Sequence, residues 1–213
     1  MAPDISQLGF FSSPELVSLA IFALCFLITT ITSGRTFRRG HTARAIRSEY
    51  RRSWAALMVD SENKLPVDVF RNNLTISTAL LSGLVIAFGL VANAFVASSA
   101  FQLSLYVVFL IAVMTYALFY LLIEIRTLAY LPILFEVDGK LIEKNEKMKK
   151  EEYIGRLLDN TYDDFSNAVR ALFYLIALLV SPFNSFLFIA ATLVLTYLFV
   201  RRDVSEKSRI EII

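Results

Sequence analysis

Residues 103–123 read LSLYVVFLIAVMTYALFYLLI, a run without a single charged residue. In a helix on the surface of a soluble protein, apolar residues recur on one face at a period of 3.6, but here they occupy every face. A helix of about 20 such residues is long enough to cross the hydrocarbon core of a bilayer. This run therefore predicts a membrane-spanning helix.

The composition of the whole chain agrees with that class of protein. Hydrophobic residues make up 56% of its 213 residues, and the mean hydropathy is +0.60. Few soluble domains reach these values. Further apolar blocks occupy residues 16–33, 74–97 and 165–200. No basic residue precedes the first block, so we expect a retained span there and not a cleaved signal peptide.

The last apolar block is far too long for one span. It is interrupted at Ser181, Pro182, Phe183 and Asn184, where the proline ends one helix and Asn184 can cap the next. Splitting the block there predicts two short spans. A hairpin that enters the membrane and returns without crossing it is the other interpretation that the sequence leaves open.

We predict an all-α polytopic membrane protein, with a single membrane domain over residues 1–213 and about five transmembrane helices. The second and third should form an antiparallel hairpin, because only a few polar residues separate them. The predicted spans are about 14–34, 73–98, 102–125, 165–181 and 184–201.

The basic residues agree with this topology. All 21 Lys and Arg fall in residues 34–73, in residues 124–170 and from residue 201 onward, and two spans separate each region from the next. With five spans they all lie on the cytoplasmic side, as the positive-inside rule requires. We therefore predict the N-terminus outside and the C-terminus inside the cell (plasma) membrane, with cytoplasmic segments at about 35–72 and 126–164.

The first cytoplasmic segment predicts a basic amphipathic helix. One side carries Arg44, Arg47 and Arg51, and the other side carries apolar and aromatic residues, namely Ile46, Tyr50, Trp54 and Leu57. Such a helix can lie on the inner leaflet, where its arginines meet anionic headgroups. Ordinary orientation signalling, without a specific ligand, is the alternative.

Polar residues inside the spans are candidates for helix packing. Asn93 is the clearest, and three hydroxyl side chains of the same span accompany it, namely Ser77, Thr78 and Ser82. Interhelical hydrogen bonds explain such residues more often than a permeation path does. At the inner membrane edge, Glu124 is expected to pair with Arg126 or Arg170.

A second polar group is predicted to meet at the cytoplasmic mouth of the bundle, and it comprises Arg71, Asn72, Asn73, Asn167 and Arg170. Such a group can bind a lipid headgroup or an anionic solute through charge-assisted hydrogen bonds. The alternative is that the asparagines cap helices and the arginines fix the topology. Asp163 and Asp164 are expected to begin the fourth span.

Catalytic and metal-binding patterns are missing from the sequence. His41 is the only histidine, and neither HExxH, nor GxSxG, nor a glycine-rich phosphate loop occurs. We therefore expect a protein that is not an enzyme, has no catalytic or metal-binding residues, needs no cofactor and binds no nucleic acid.

Three segments carry motifs of a known family. The first two contain Arg51, Trp54 and Met58, then Arg71, Asn72 and Asn73, and the third contains Phe165, Arg170, Ala171, Tyr174, Pro182, Arg201 and Arg202. In this order the segments resemble the domain-of-unknown-function family 599, small multi-pass membrane proteins of bacteria and plants. The chain departs from the pattern at Ser166, where the family's asparagine is expected. The resemblance implies a multi-pass membrane fold and no particular activity.

Two functions remain open at this point. The first is a non-enzymatic structural or accessory subunit that packs against membrane lipids, with anionic headgroups on the inner leaflet, or against other membrane subunits or copies of itself. The alternative is a small-solute transporter or channel that works as an oligomer with an Arg/Asn-lined cytoplasmic mouth. The uncharged span centres argue against proton coupling and so favour the first.

Overall fold

A computed structural model of the chain describes residues 13–36, 43–59, 65–97 and 105–204. Within these ranges the chain consists of helices joined by turns and short links, with no strand. The helices, in chain order, are α1 (Ser13–Thr36), α2 (Ala43–Val59), α3 (Leu65–Ala97), α4 (Leu105–Glu136), α5 (Gly139–Glu146), α6 (Lys150–Val180) and α7 (Ser185–Val204). The predicted all-α fold class is confirmed.

Four of the described helices are long and apolar enough to cross a membrane. Their apolar parts are Glu15–Ser33, Pro66–Asn93, Leu105–Glu136 and Ser185–Asp203. The remaining predicted span, 165–181, forms the second half of α6, which carries Arg170 and directly follows two aspartates. The count of five spans and the orientation therefore stay predictions.

Several helices continue beyond the predicted spans. α3 begins at Leu65, well before residue 73, and α4 continues to Glu136, well past residue 125. At 1.5 Å per residue α4 is about 48 Å long, which exceeds the roughly 30 Å of a hydrocarbon core. The extensions persist because they pack on one another in an apolar cluster built around Phe70, Leu128, Leu131, Leu134, Ile154 and Leu158.

The same packing corrects one prediction. Asp163 and Asp164 do not begin a helix, because α6 already begins at Lys150 and runs through them. Upstream of these aspartates, Ile154 and Leu158 are buried in the cluster just described. Burial of that apolar face stabilises the additional turns of α6, since most helical stability in proteins comes from packing of this kind.

Contacts between distant residues give the directions of the helices. Ser77 of α3 bonds to Glu124 of α4, and Phe70, earlier in α3, meets Phe135, later in α4. α3 and α4 are therefore antiparallel, and the predicted hairpin is confirmed. α1 lies against the second half of α6 and against α7 around a shared aromatic core of Phe22, Phe26, Tyr174 and Phe188.

The turn between α6 and α7 also follows the prediction. α6 ends at Val180, and α7 begins at Ser185. The Asn184 side-chain oxygen Oδ1 accepts hydrogen bonds from the backbone N–H groups of Phe186, at 2.9 Å, and Leu187, at 3.1 Å. These groups have no partner within the helix, so Asn184 caps α7 in the predicted way.

Candidate functional site

Asp159 of α6 binds α2 through side-chain hydrogen bonds. Its side chain is buried, with the whole residue 0% exposed. Oδ2 accepts hydrogen bonds from Ser48 Oγ and Arg52 Nε, both at 2.6 Å, and Oδ1 accepts one from Arg51 Nε at 2.9 Å. Three donors from one helix thus meet a single carboxylate of the other, which satisfies a charge that would be costly to bury alone.

α2 turns its arginine side, and not its apolar side, toward α6. Tyr50 and Leu57 of the apolar side are 62% and 66% exposed, and Trp54 packs edge-on against Phe70 with ring centroids 6.1 Å apart. The residues that face α6 are Ser48, Arg51, Arg52 and Ala55. Tyr50 and Leu57, on the predicted apolar side of α2, are therefore largely exposed.

A cavity of about 300 Å³, here called the arginine cavity, lies between α2, α6 and α7. Its charged lining consists of Arg47, Arg51, Arg170, Arg202, Asp163 and Asp203. Four arginines against two aspartates leave an excess of positive charge. Phe165, Val169, Phe173 and Phe199 form an apolar wall. The cavity can therefore receive a group that is anionic at one end and apolar at the other.

Two arginines of the cavity, Arg170 and Arg51, contact an acidic or aromatic side chain around them. Arg170 Nη2 donates to Asp203 Oδ1 at 2.8 Å, and its guanidinium lies 5.7 Å from the centroid of the Phe199 ring. The Arg51 guanidinium lies 5.3 Å from the centroid of the Tyr162 ring. Arg51 Nη2 is buried and has no hydrogen-bond acceptor among the described residues. It can therefore donate to a bound anion.

A second, smaller cavity of about 80 Å³, here called the Glu124 cavity, lies between α3, α4 and α6. Tyr162 and Phe165 line both cavities. Glu124 is only 3% exposed, and its Oε1 accepts a hydrogen bond from Ser77 Oγ at 2.7 Å. Glu124 Oε2 is buried without a hydrogen-bond partner among the described residues.

The surroundings of Glu124 differ from the prediction. Pairing with Arg126 or Arg170 was expected, but Glu124 bonds to Ser77, and Arg170 bonds to Asp203. The reason is that Glu124 faces α3 in the antiparallel hairpin, while Arg170 lies on the side of α6 that faces α7.

The predicted cytoplasmic group of arginines and asparagines is divided between these places. Arg170 lines the arginine cavity, while Asn73 lines the Glu124 cavity and donates from Nδ2 to the Tyr162 hydroxyl at 3.0 Å. Asn167 Oδ1 accepts from Ser33 Oγ at 3.0 Å. Arg71 is exposed and pairs with Asp68 at 3.4 Å, and Asn72 is exposed beside it.

The alternative interpretation, that these asparagines cap helices, is wrong. Asn72 and Asn73 lie inside α3, and Asn167 lies inside α6, several residues from the nearest helix end. Of the basic residues predicted on α2, Arg47 and Arg51 line the arginine cavity. The Arg44 side chain lies outside the described residues, so its predicted contact with lipid stays a prediction.

The other polar residues predicted to pack inside the membrane lie mostly on the exposed side of α3. Asn93 is exposed. Thr78 Oγ1 donates to the Leu74 carbonyl at 2.7 Å, and Ser82 Oγ donates to the Thr78 carbonyl at 2.8 Å, so both hydroxyls bond within their own helix. Ser77 differs from these residues, because its hydroxyl bonds to Glu124 on the neighbouring helix α4.

Two neighbouring acids lie near the cavities: Asp163 lines the arginine cavity, and Asp164 acts electrostatically on Glu124. Burial raises the pKa of Asp164 from its ordinary value to about 6, and the neighbouring charge of Asp163 adds to the effect. Burial disfavours the charged form of a carboxyl, and a like charge does the same. Asp164 therefore gains a proton more readily than an exposed aspartate does.

Asp159 and the Glu124 cavity were missed by reasoning from the sequence. Asp159 follows Leu158 in a mixed charged and apolar segment, where nothing marks it as buried. Glu124 directly follows the apolar run that ends at Ile123, and that position was the one available signal that it could be buried. The partners of both acids come from other helices, 111 positions away for Ser48 and Asp159 and 47 for Ser77 and Glu124.

Comparison with known proteins gives a family and no activity. A sequence-family model described as "Protein of unknown function, DUF599" matches residues 17–208. No curated protein and no solved structure matches the chain. The match covers most of the chain, including both cavities and the α2 helix, and it agrees with the family suggested by the motifs.

Proposed function

We propose that this chain, which belongs to the family described as "Protein of unknown function, DUF599", is a non-enzymatic multi-pass membrane protein that binds the anionic headgroup of a lipid. The binding site is the arginine cavity. The protein works by holding lipid at the inner leaflet, as a structural or accessory component of the membrane, and performs no turnover.

The observation that carries this proposal is an arginine-rich cavity with one apolar wall. Four arginines line it, and Arg51 retains a buried donor. Next to it, the outer surfaces of α6 and α7 expose large apolar side chains such as Phe173, Ile176 and Leu198. A lipid could place its phosphate against the arginines and an acyl chain along the apolar surfaces of these helices. A free anion would contact the arginines alone.

The position of α2 adds support. Its exposed Tyr50 and Leu57 lie on a basic helix, and amphipathic helices of this kind bury such residues among lipid headgroups and acyl chains. The same helix supplies Arg47 and Arg51 to the cavity. Contact of α2 with the leaflet would therefore bring the cavity to the depth of the headgroups.

The proposal includes five spans, an external N-terminus, a cytoplasmic C-terminus and a location in the plasma membrane. The second half of α6 lies alongside α1, with Ser33 bonded to Asn167 at one end and Phe22 against Tyr174 further along. Its residues 165–180 extend about 24 Å. This placement beside an apolar helix supports counting it as a span, and it puts all basic regions on one side.

The test compares two double variants with equal loss of charge. Arg47→Gln/Arg202→Gln removes two exposed arginines that line the cavity, and Arg71→Gln/Arg156→Gln removes two exposed arginines that do not. Each arginine at a headgroup is worth about 1 kcal/mol. We expect the first double variant to bind phosphatidylglycerol about 30-fold more weakly, as measured by native mass spectrometry of protein from nanodiscs.

The second double variant should bind within about twofold of the unmodified chain, because its charges lie outside the cavity. Equal losses in both would mean that a diffuse positive field attracts the lipid, which would contradict a site at the cavity. An excess of inorganic phosphate should leave the lipid bound. Displacement by phosphate would point to a soluble anion as the ligand.

A further inference from the structure

Glu124 presents an uncommon combination of burial and incomplete bonding. One carboxylate oxygen accepts from Ser77, and the other, Oε2, is buried at the cavity with no hydrogen-bond partner in the described part of the chain. Buried polar atoms in proteins are nearly always bonded, and an exception needs a cause. An ion or polar group that occupies the Glu124 cavity would provide one.

The charge around the cavity favours a cation. No ion pair involves Glu124 within the described residues, and the charged group that acts on it most clearly is a second acid, Asp164. Tyr162 is the other titratable residue that lines the cavity. A buried carboxylate without a positive partner is costly, and the cost is removed when a cation binds it.

The other polar groups of the cavity can supply neutral oxygen atoms as ligands. Thr161 Oγ1 donates a hydrogen bond to the Leu157 carbonyl oxygen, so the lone pairs of Oγ1 remain available to a cation. The Tyr162 hydroxyl accepts a hydrogen bond from Asn73 Nδ2, and the side-chain carbonyl of Asn73 offers a further oxygen. Hard cations are bound by carboxylate, carbonyl and hydroxyl oxygens of this kind.

We propose that the Glu124 cavity binds a monovalent hard cation of the size of sodium, held by Glu124 Oε2 together with oxygens of Thr161, Tyr162 and Asn73. One carboxylate balances one positive charge, so a monovalent ion leaves the site neutral. The cavity of about 80 Å³ exceeds the roughly 10 to 15 Å³ that one water needs. The ion therefore keeps part of its hydration.

The cation would join three helices. Glu124 lies on α4, Asn73 on α3, and Thr161 and Tyr162 on α6. Because a ligand that binds the folded state stabilises it by mass action, sodium should raise the melting temperature of the purified protein. The two cavities share Tyr162 and Phe165, but Glu124 and Thr161 line only the Glu124 cavity. Substitutions at these two residues therefore test cation binding without removing a residue of the arginine cavity.

The experiment measures the melting temperature in detergent at fixed ionic strength while sodium chloride replaces choline chloride. For the unmodified chain we expect a rise of about 3 to 5 °C at a sodium concentration ten times the dissociation constant. Glu124→Gln keeps an acceptor for Ser77 and removes the charge, so its melting temperature should no longer depend on sodium. Glu136→Gln, at the exposed end of the same helix, should respond as the unmodified chain does.

Thr161→Val provides a second test that retains Glu124. It removes one proposed ligand with little change in shape, and the sodium concentration that gives half of the effect should rise severalfold. The proposal is overturned if sodium has no effect beyond that of choline, or if Glu124→Gln keeps the full effect. A melting temperature that follows pH and ignores sodium would also overturn it, since a proton would then neutralise the carboxylate.

Discussion

Two buried acidic side chains, Asp159 and Glu124, make hydrogen bonds between helices of this bundle. Asp159 and Glu124 are both buried, and each faces a helix other than its own. Asp159 is fully bonded by Ser48, Arg51 and Arg52, whereas Glu124 keeps one oxygen without a partner among the described residues. The first arrangement suits a fixed structural contact, and the second suits the binding of a ligand.

Replacement of Asp159 by asparagine should destabilise the protein. The neutral amide would leave the guanidinium groups of Arg51 and Arg52 without their carboxylate, although Arg52 is partly exposed and can regain water. Hydrogen bonds to charged groups are each worth about 1.5 to 3 kcal/mol. We expect Asp159→Asn to lower the free energy of unfolding in detergent by about 2 to 3 kcal/mol.

A matched control is Glu152→Gln, which removes an exposed carboxylate that pairs with Arg156 one turn later on the same helix. Exposed pairs of this kind contribute about 0.3 to 0.5 kcal/mol. If both substitutions lower the free energy of unfolding by the same small amount, the contacts of Asp159 do not stabilise the packing of α2 on α6.

The close packing of α2 on α6 depends on a glycine. A Cβ atom at Gly155 would lie 3.1 Å from Arg52 Cγ and 3.4 Å from Arg52 Cα, so a side chain there meets both the side chain and the backbone of α2. At Gly83, in α3, a Cβ atom would meet nothing within 4 Å. The two glycines therefore allow a matched comparison within helices.

Gly155→Val should loosen α2, because overpacking of this kind costs about 1 to 3 kcal/mol. We expect the backbone amides of α2 to exchange with deuterium about tenfold faster or more, as measured by hydrogen exchange and mass spectrometry. Gly83→Val should leave the exchange of α2 unchanged. Unchanged exchange in Gly155→Val would mean that α2 tolerates displacement and is not closely docked.

With five spans, all 21 Lys and Arg lie on one side of the membrane. The Asp159 contact and α5 belong to the segments predicted to be cytoplasmic. The arginine cavity lies where these segments meet the inner ends of the last two predicted spans. With five spans, the turn between α6 and α7 lies on the other side. Phe183 in that turn is 89% exposed, and Leu141 in α5 is 52% exposed, so both positions can be labelled.

The topology predicts which positions react from outside the cell. In a Cys25→Ser background, Phe183→Cys should be labelled by a membrane-impermeant maleimide on intact cells. Leu141→Cys should be labelled after the membrane is permeabilised. If the Phe183→Cys variant also required permeabilisation, α6 and α7 would form a hairpin that does not cross the membrane, and three spans would remain.

Local features of the sequence predicted the helices and the turn between α6 and α7 well. An uncharged run such as 103–123 is helical in the structure from Leu105 onward. In a bilayer no water is available to the backbone, and a helix supplies hydrogen-bond partners for its own N–H and C=O groups. Pro182 and Asn184 act on neighbouring residues alone, so the break and the cap could also be predicted. The antiparallel α3 and α4 hairpin followed from a short connection.

The two cavities depended on tertiary packing. The apolar periodicity of α2 predicted a helix on the inner leaflet, with Tyr50 and Leu57 on its apolar side. It did not indicate that α2 docks on α6 through Ser48, Arg51 and Arg52, which bond to the buried carboxylate of Asp159. Glu124 likewise meets Ser77 and Tyr162 through the arrangement of three helices. A charged side chain takes its environment from the helices packed around it, and no local pattern in the sequence encodes those neighbours.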